Sequence, residues 1–458
     1  MRNWNVRFGS ARKDKLACKA HGALLGIALA LGGLLWAGGT AAAQVNFNTA
    51  IYKALADSSS AATIPPGTKI TLANWRQYRQ FMPIWMQAAY SGAYGWKVGP
   101  QPDYTVEVAA PVSYPMPKKF VENTEKYGGQ AKLIPTPTGG MTWSGYVAGL
   151  PFPNLSGPDE GAKLMYNLWA DYRPRISLFY AYNWLVDRFG NVTNLESADA
   201  FYRLMHLSEP GFPVDLPFAK GIFYSTRFMV LIPEQSKYTT ELTLQPNDPT
   251  RLQEVYVFLP SLRRSLRLSS AARCAPILGT DFVEDDNSWM PPNFKFTYLG
   301  EKKLLMPVTD YAKAFNRDSY VQPPGSFPGW PKSSITKWEL RDQYVVDATW
   351  LTSLGSYCYS DRIFYIDAQT WVSEYFESYD KSGKLWKLVW DILTPIPYEG
   401  QTTLIAIASI SAVMAIDFQN THITATIESP TLTNDQVPGD YADAAVVTSP
   451  GGLDRILR

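Results

Sequence analysis

The clearest hydrophobic and polar patterning in the chain lies between Asp361 and Ile392. Arg362–Asp367 is a short β-rich run, and Trp371–Tyr379 carries aromatic and β-branched residues in an extended pattern. Lys384–Ile392 alternates, with Trp386, Leu388, Trp390 and Ile392 on one face and Lys387 and Asp391 on the other. Between the last two runs, Asp380-Lys381-Ser382-Gly383 sets Asp at a turn start and Gly where a positive φ is needed. Three strands joined this closely predict an antiparallel meander, and an apolar meander face needs a cover or a ligand.

Before residue 172 the pattern is helical and loop-rich. Phe47, Ile51, Ala54 and Leu55 repeat at helical spacing. A second helix opens at Thr71, with Pro83 kinking or ending its first part. A third starts at Pro117, and a fourth runs from Gly157-Pro158-Asp159 to Trp169. From Arg175 onward the pattern turns to strands: Arg175–Val186, Ile222–Ile232, Tyr238–Leu244, Glu254–Leu259, Leu262–Leu268, Phe294–Leu299, Lys337–Val346 and the meander. The apolar run Leu404–Ile416 is too short and too β-branched to cross a membrane as a helix, and it fits one or two buried strands.

The first 43 residues have the organisation of an export signal. Arg2, Arg7, Arg12, Lys13, Lys15 and Lys19 form a basic region, Gly22–Ala37 is apolar, and Ala41-Ala42-Ala43 offers a cleavage site before Gln44. Removing that segment takes six basic residues and one acid from totals of 42 and 41, leaving 36 against 40 and a net charge of −4. Such a balance, with no long Lys/Arg cluster, gives nucleic acid no footing. The expected location is the periplasm, with association to the outer membrane left open. Residues 44–458 are read as a single large domain, 44–172 being its N-terminal elaboration. Of three cysteines, Cys274 and Cys358 remain after cleavage. They suggest one disulfide closing a long loop, with two buried free thiols as the alternative.

Candidate chemistry is sparse. Only His206 and His422 survive cleavage, and no nucleophile elbow, HExxH, P-loop or GxGxxG occurs. Ser334-Ile335-Thr336-Lys337 matches Ser-x-x-Lys without its companion motifs. Asp281, Glu284, Asp285 and Asp286 form an acidic group that reads as a solvated loop before it reads as a cation site. No cofactor, metal or catalytic residue is assigned. Aromatic surface remains: residues are 14% aromatic, with 15 Trp and 27 Tyr, a composition suited to a β-rich protein with large apolar faces. Trp371, Tyr375, Phe376, Trp386, Leu388 and Trp390 are therefore the candidate wall of a cavity for a hydrophobic ligand. In a purely structural role they would all be core.

Several stretches resemble a family of exported proteobacterial proteins described as outer-membrane-lipoprotein-sorting-like, whose defining domain has no assigned function. They are Ile70–Trp75 (ITLANW), Glu125–Leu133 (EKYGGQAKL), Gly145–Pro153 (GYVAGLPFP), Arg263–Leu268 (RRSLRL), Ala272–Phe282 (ARCAPILGTDF), Tyr357–Asp367 (YCYSDRIFYID) and Ala415–Ile423 (AIDFQNTHI). Both cysteines fall inside these stretches, which supports their pairing. The family is distantly similar to the lipoprotein carriers LolA and LolB, in which an incomplete barrel wraps an apolar cavity. The resemblance implies an α+β, β-dominated fold, with a large curved antiparallel sheet, open or partly closed, and helices covering or filling its concave face. It further implies a carrier for a lipid or hydrophobic molecule, working with a resistance–nodulation–division-type pump and an outer-membrane protein. A ligand-free accessory protein of such a complex, and a periplasmic hydrolase, are the alternatives.

Overall fold

The computed structural model describes residues 45–94, 104–203, 221–268, 273–287, 289–309, 330, 332–334, 336–397, 404–405, 410–429, 431–433, 436–438 and 449–453. The export signal and His206 lie outside them.

Five helices occur among these residues: α1 Thr49–Lys53, α2 Ile84–Ser91, α3 Lys118–Tyr127, α4 Glu160–Trp169 and α5 Glu284–Asn287. The strands of the first half are β1 Lys69–Ile70, β2 Val106–Ala109, β3 Lys132–Pro135, β4 Met141–Ser144, β5 Ile176–Val186, β6 Val192–Arg203, β7 Ile222–Ile232, β8 Thr240–Pro246, β9 Glu254–Leu259 and β10 Arg264–Arg267. Those of the second half are β11 Phe294–Thr309, β12 Thr336–Trp350, β13 Asp361–Asp367, β14 Ser373–Tyr379, β15 Leu385–Leu393, β16 Ile396–Pro397, β17 Leu404–Ile405, β18 Ile410–Asp417, β19 His422–Glu428 and β20 Leu432–Thr433.

Among the described residues, sixteen strands join in one sheet, in the order β1-β2-β12-β13-β14-β15-β18-β19-β5-β6-β7-β8-β9-β10. Off that path β11 pairs with β12 and β20 with β5. Pairing is antiparallel except where β2 meets β12 and where Val308 on β11 meets Leu393 on β15. The second contact curls β11 to β15 into a partial ring that the rest of the sheet does not close, so the sheet is mixed rather than purely antiparallel.

The meander forms as its pattern predicts, with one turn built by a single side chain. Asp380 Oδ1 accepts from the Ser382 and Lys384 backbone N–H groups, and Gly383 takes φ +76°. Two elements differ from expectation. The helix expected at Thr71 is replaced by short 3-10 turns at Trp75–Gln77 and Arg79–Phe81, and the α-helix starts only after Pro83. Proline lacks the N–H that a helix interior needs but suits a helix start. The strand expected from Trp371 begins at Ser373, because Trp371 itself sits at φ +59° in the tight turn after β13.

The two faces of the meander belong to different cores. On the first face Ile363, Tyr365, Tyr375, Leu388, Trp390 and Ile392 pack against residues from the N-terminal segment, chiefly Tyr52, Leu55, Trp85, Met86 and Tyr90. On the second, Phe364, Phe376, Val389 and Ala415 pack against Leu164 and Met165 of α4 and against Phe294. Gly161 lets α4 lie on β11, since a Cβ there would be 3.1 Å from Phe296.

A stoppered apolar face as the candidate functional site

The six candidate residues do not share one wall. Tyr375, Leu388 and Trp390 are fully buried on the first face, under the N-terminal segment. Phe376, Trp386 and Trp371 belong to the second. A bulge moves Trp386: Tyr379 pairs with Leu385 and Ser378 with Lys387, so Trp386 is the extra residue between them. One inserted residue turns a side chain to the opposite face. Leu385 joins the first core, while Trp386 donates from Nε1 to Asp417 Oδ2 at 3.0 Å. Trp371, thrown outward by its turn, stacks on Tyr344 at 5.6 Å.

The N-terminal segment is tied to the sheet near its start. Phe47 N–H donates to Gly383 O, Leu385 N–H to Val45 O, and Lys303 N–H to Ala56 O. Beyond these ties the segment fills the first face with rings. Trp85 lies 4.9 Å from Trp390, 5.2 Å from Tyr375 and 5.5 Å from Trp330. Among the described residues the face is closely packed here.

A buried carboxylate holds the start of α2 onto the sheet. Pro83 offers no side-chain cap, so the first N–H groups of α2 need another acceptor. Glu377 on β14 supplies it: Oε1 accepts from Trp85 N–H at 2.8 Å and from the Tyr365 hydroxyl at 2.8 Å. Oε2 accepts from the hydroxyls of Tyr52 and Tyr379, both at 2.9 Å. Burial raises the Glu377 carboxyl above its ordinary pKa, and the four donors oppose that rise. A charge at a helix N-terminus is also favoured by the helix dipole. The sequence gives this role one signal, a Glu inside the run Ser-Glu-Tyr-Phe-Glu-Ser-Tyr, every residue of which is buried.

Glu374, one turn of the pleat earlier, is the extra residue of a second bulge, between the Tyr365–Tyr375 and Ile366–Ser373 pairs. It is fully buried, neither carboxylate oxygen has a partner among the described residues, and burial followed by nearby Asp367 pushes its pKa well up. Beside it Arg341 binds Asp367 through Nε and Nη2 and Glu339 through Nη1.

The second face carries the disulfide and an ion network. Cys274 and Cys358 are bonded, tying the loop before α5 to the start of the meander. The acidic group expected as a solvated loop is instead buried. Asp285 pairs with Arg273 at 2.9 Å and Asp286 with Arg362 at 2.8 Å, while Tyr357 donates to Asp285 Oδ2 at 2.5 Å. Asp281 is 2.6 Å from His422 Nδ1, a bond that raises the His422 pKa. Burying carboxylates requires such partners, and the arginine partner on β13 is 76 residues away in sequence.

The hydrolase alternative rests on Ser334, Lys337, His206 and His422, of which His206 lies outside the described residues. Ser334 is exposed, Lys337 is held 2.7 Å from Glu107, and the hydrogen bonds of His422 among the described residues reach Nδ1 only. Among these residues no group of three or more His, Cys, Asp or Glu side chains is placed to hold a metal, and no helix is long and apolar enough to cross a membrane.

Fold and site thus define a β-dominated protein whose largest apolar face is stoppered by its own N-terminal segment. The chain belongs to the DUF1329 family, proteins of unknown function, whose model matches residues 69–439. It is similar to solved structures of a DUF1329 family protein from Desulfovibrio piger (13% identity, 63% of this chain and 97% of that one, TM-score 0.43) and of a putative outer membrane lipoprotein-sorting protein domain from Vibrio parahaemolyticus (14%, 64% and 100%, 0.44). A third similar structure is a LolA superfamily protein from Nitrosomonas europaea (11%, 61% and 94%, 0.36). No functionally curated protein matches the sequence.

Proposed function

We propose that the protein is a periplasmic carrier for a lipid or other hydrophobic molecule, and that its binding surface is the meander face now occupied by α2. It is a binding protein, not an enzyme, and it passes its ligand to membrane-embedded partners. The observation that carries this reading is the way α2 is held. It fills the face with Trp85, Met86 and Tyr90, yet among the described residues its backbone meets the sheet only through the Glu377 and Tyr365 side chains. An exchangeable stopper has this form. The energies also match. Freeing Ile84, Trp85, Met86 and Tyr90 costs roughly 6–12 kcal/mol at 1.5–3 kcal/mol per buried side chain, and a sixteen-carbon chain regains about 12 kcal/mol at 0.8 kcal/mol per CH₂.

The test is native mass spectrometry of the purified chain before and after organic extraction, with uptake of an apolar fluorophore and amide exchange across residues 84–91. A bound lipid, uptake after extraction and faster exchange of α2 in the loaded form are expected. A protein that neither co-purifies with lipid nor takes up the fluorophore would not be a carrier. The packed face favours one other reading, an accessory protein that binds an envelope export complex without a ligand. That reading predicts no uptake together with capture by a membrane protein.

A further inference from the structure

Four donors in the stopper and the wall beneath it have no acceptor among the described residues. The indole Nε1–H groups of Trp85, Trp338 and Trp390 and the hydroxyl of Tyr90 are enclosed and lack a hydrogen-bond partner among the described residues. The three tryptophans are 0% exposed and Tyr90 is 4% exposed. All four belong to one cluster. Trp390 lies 4.9 Å from Trp85 and 5.8 Å from Trp338, and Trp330 joins Trp390 at 5.3 Å to Tyr90 at 5.7 Å. Native interiors keep unmade buried donors few, because each forfeits its hydration without replacement. A group of them in one place is a site short of an acceptor.

The identity of the missing group follows from what the cluster offers. Indole N–H can only donate, and the surrounding rings supply little that accepts. A water taken up there would satisfy the indoles but find few acceptors beyond the Tyr90 hydroxyl for its own hydrogens. A carbonyl or carboxylate oxygen accepts without donating. Two of the donors ride on α2 and two stand on the sheet, Trp338 on β12 and Trp390 on β15. Displacement of α2 therefore leaves the sheet pair facing the vacated space, within an apolar surface suited to a chain.

We infer that this aromatic cluster is the head-group subsite of the carrier, and that it takes the acceptor oxygen of an acyl compound, a fatty carboxylate or an acyl ester. The inference rests on the carrier reading and narrows its ligand class. It is tested by titrating the extracted full-length mature protein with palmitate, methyl palmitate, hexadecylamine and hexadecane, each followed by competition with the apolar fluorophore. The two acyl probes should bind roughly tenfold more tightly than the amine and the hydrocarbon, the difference about one to two hydrogen bonds makes. Palmitate well ahead of its ester identifies a free carboxylate, and equal binding identifies the acyl carbonyl. Trp390→Phe keeps a ring and removes an N–H, so it should shrink the acyl preference several-fold, read as the ratio of palmitate to hexadecane binding. If that variant does not fold, the ranking with the unsubstituted protein decides. Equal binding of all four probes, or tighter binding of the amine, overturns the subsite but leaves the carrier standing. Binding of none of them removes the carrier reading itself.

Discussion

Glu377 offers the sharpest way to ask whether α2 is held as described. Truncation to alanine removes the acceptor for Trp85 N–H, the Tyr365 hydroxyl and the Tyr52–Tyr379 pair. The last two hydroxyls are 2.7 Å apart and can bond to each other, which rescues one donor and strands three. Each stranded buried donor costs about 1–3 kcal/mol, partly offset because a buried carboxylate no longer has to be desolvated. A net loss of about 2–5 kcal/mol is expected for Glu377→Ala. Glutamine behaves differently: its carbonyl keeps Trp85 N–H and Tyr365, and its amide donates to a tyrosine oxygen, for a loss near 1 kcal/mol. Urea unfolding gives the stabilities, and amide exchange of residues 84–91 shows where they act. Glu377→Ala should release α2 before the sheet opens. Indistinguishable Ala and Gln variants, or exchange of α2 unchanged in Glu377→Ala, would refute the latch.

Three further outcomes follow from the second face and the buried acids. Reducing Cys274–Cys358, or replacing both by serine, should cost about 4–5 kcal/mol for a loop of 84 residues, read as a lower urea midpoint; an unchanged midpoint would deny the cross-link a role in stability. Arg362→Ala leaves the charge of Asp286 buried without its partner and should destabilise by about 3–5 kcal/mol in the same assay, against near-neutrality if the pair were solvated. Stability should fall from pH 5 to pH 8. Burial raises Asp199 to about 8, burial and the nearby acids Glu284 and Asp199 raise Glu241 to about 8, and the bond to Asp281 raises His422. Groups with raised folded values bind protons more tightly when folded, so their stabilisation is complete below the unfolded values and drains as pH climbs through the folded ones. A higher urea midpoint at pH 8 than at pH 5 would contradict this.

The sheet was legible where a period of two runs unbroken, as in β5, β7 and the outer parts of the meander. It failed at the inserted residues. Alternation alone puts Trp386 beside Leu388 and Trp390, and nothing local to Glu374 or Trp386 marks a bulge. The acidic residues at 281–286 look solvated because His422 and Arg362, the partners of Asp281 and Asp286, are distant in sequence. Pro83 shows the limit of helical spacing: Trp75, Tyr78, Arg79 and Met82 keep the period, yet the α-helix waits for the proline to pass. Aromatic abundance did point to large apolar faces, but composition cannot divide six rings between two sides of one sheet.

The path of the chain through the stoppered face also bears on how the protein is made. Tyr52 finds Glu377 across 325 residues and Trp85 finds it across 292. The segment that fills the interior is thus synthesised first and has no place to bury its rings until the meander and β19 have followed it. Contacts this remote slow folding, since loop closure must precede any gain from burial. The rings of the N-terminal segment therefore go without their buried site for most of the chain's synthesis. Moving residues 45–94 to the C-terminal side of β19 by circular permutation would place them after their partners and should hasten folding without altering the finished interior.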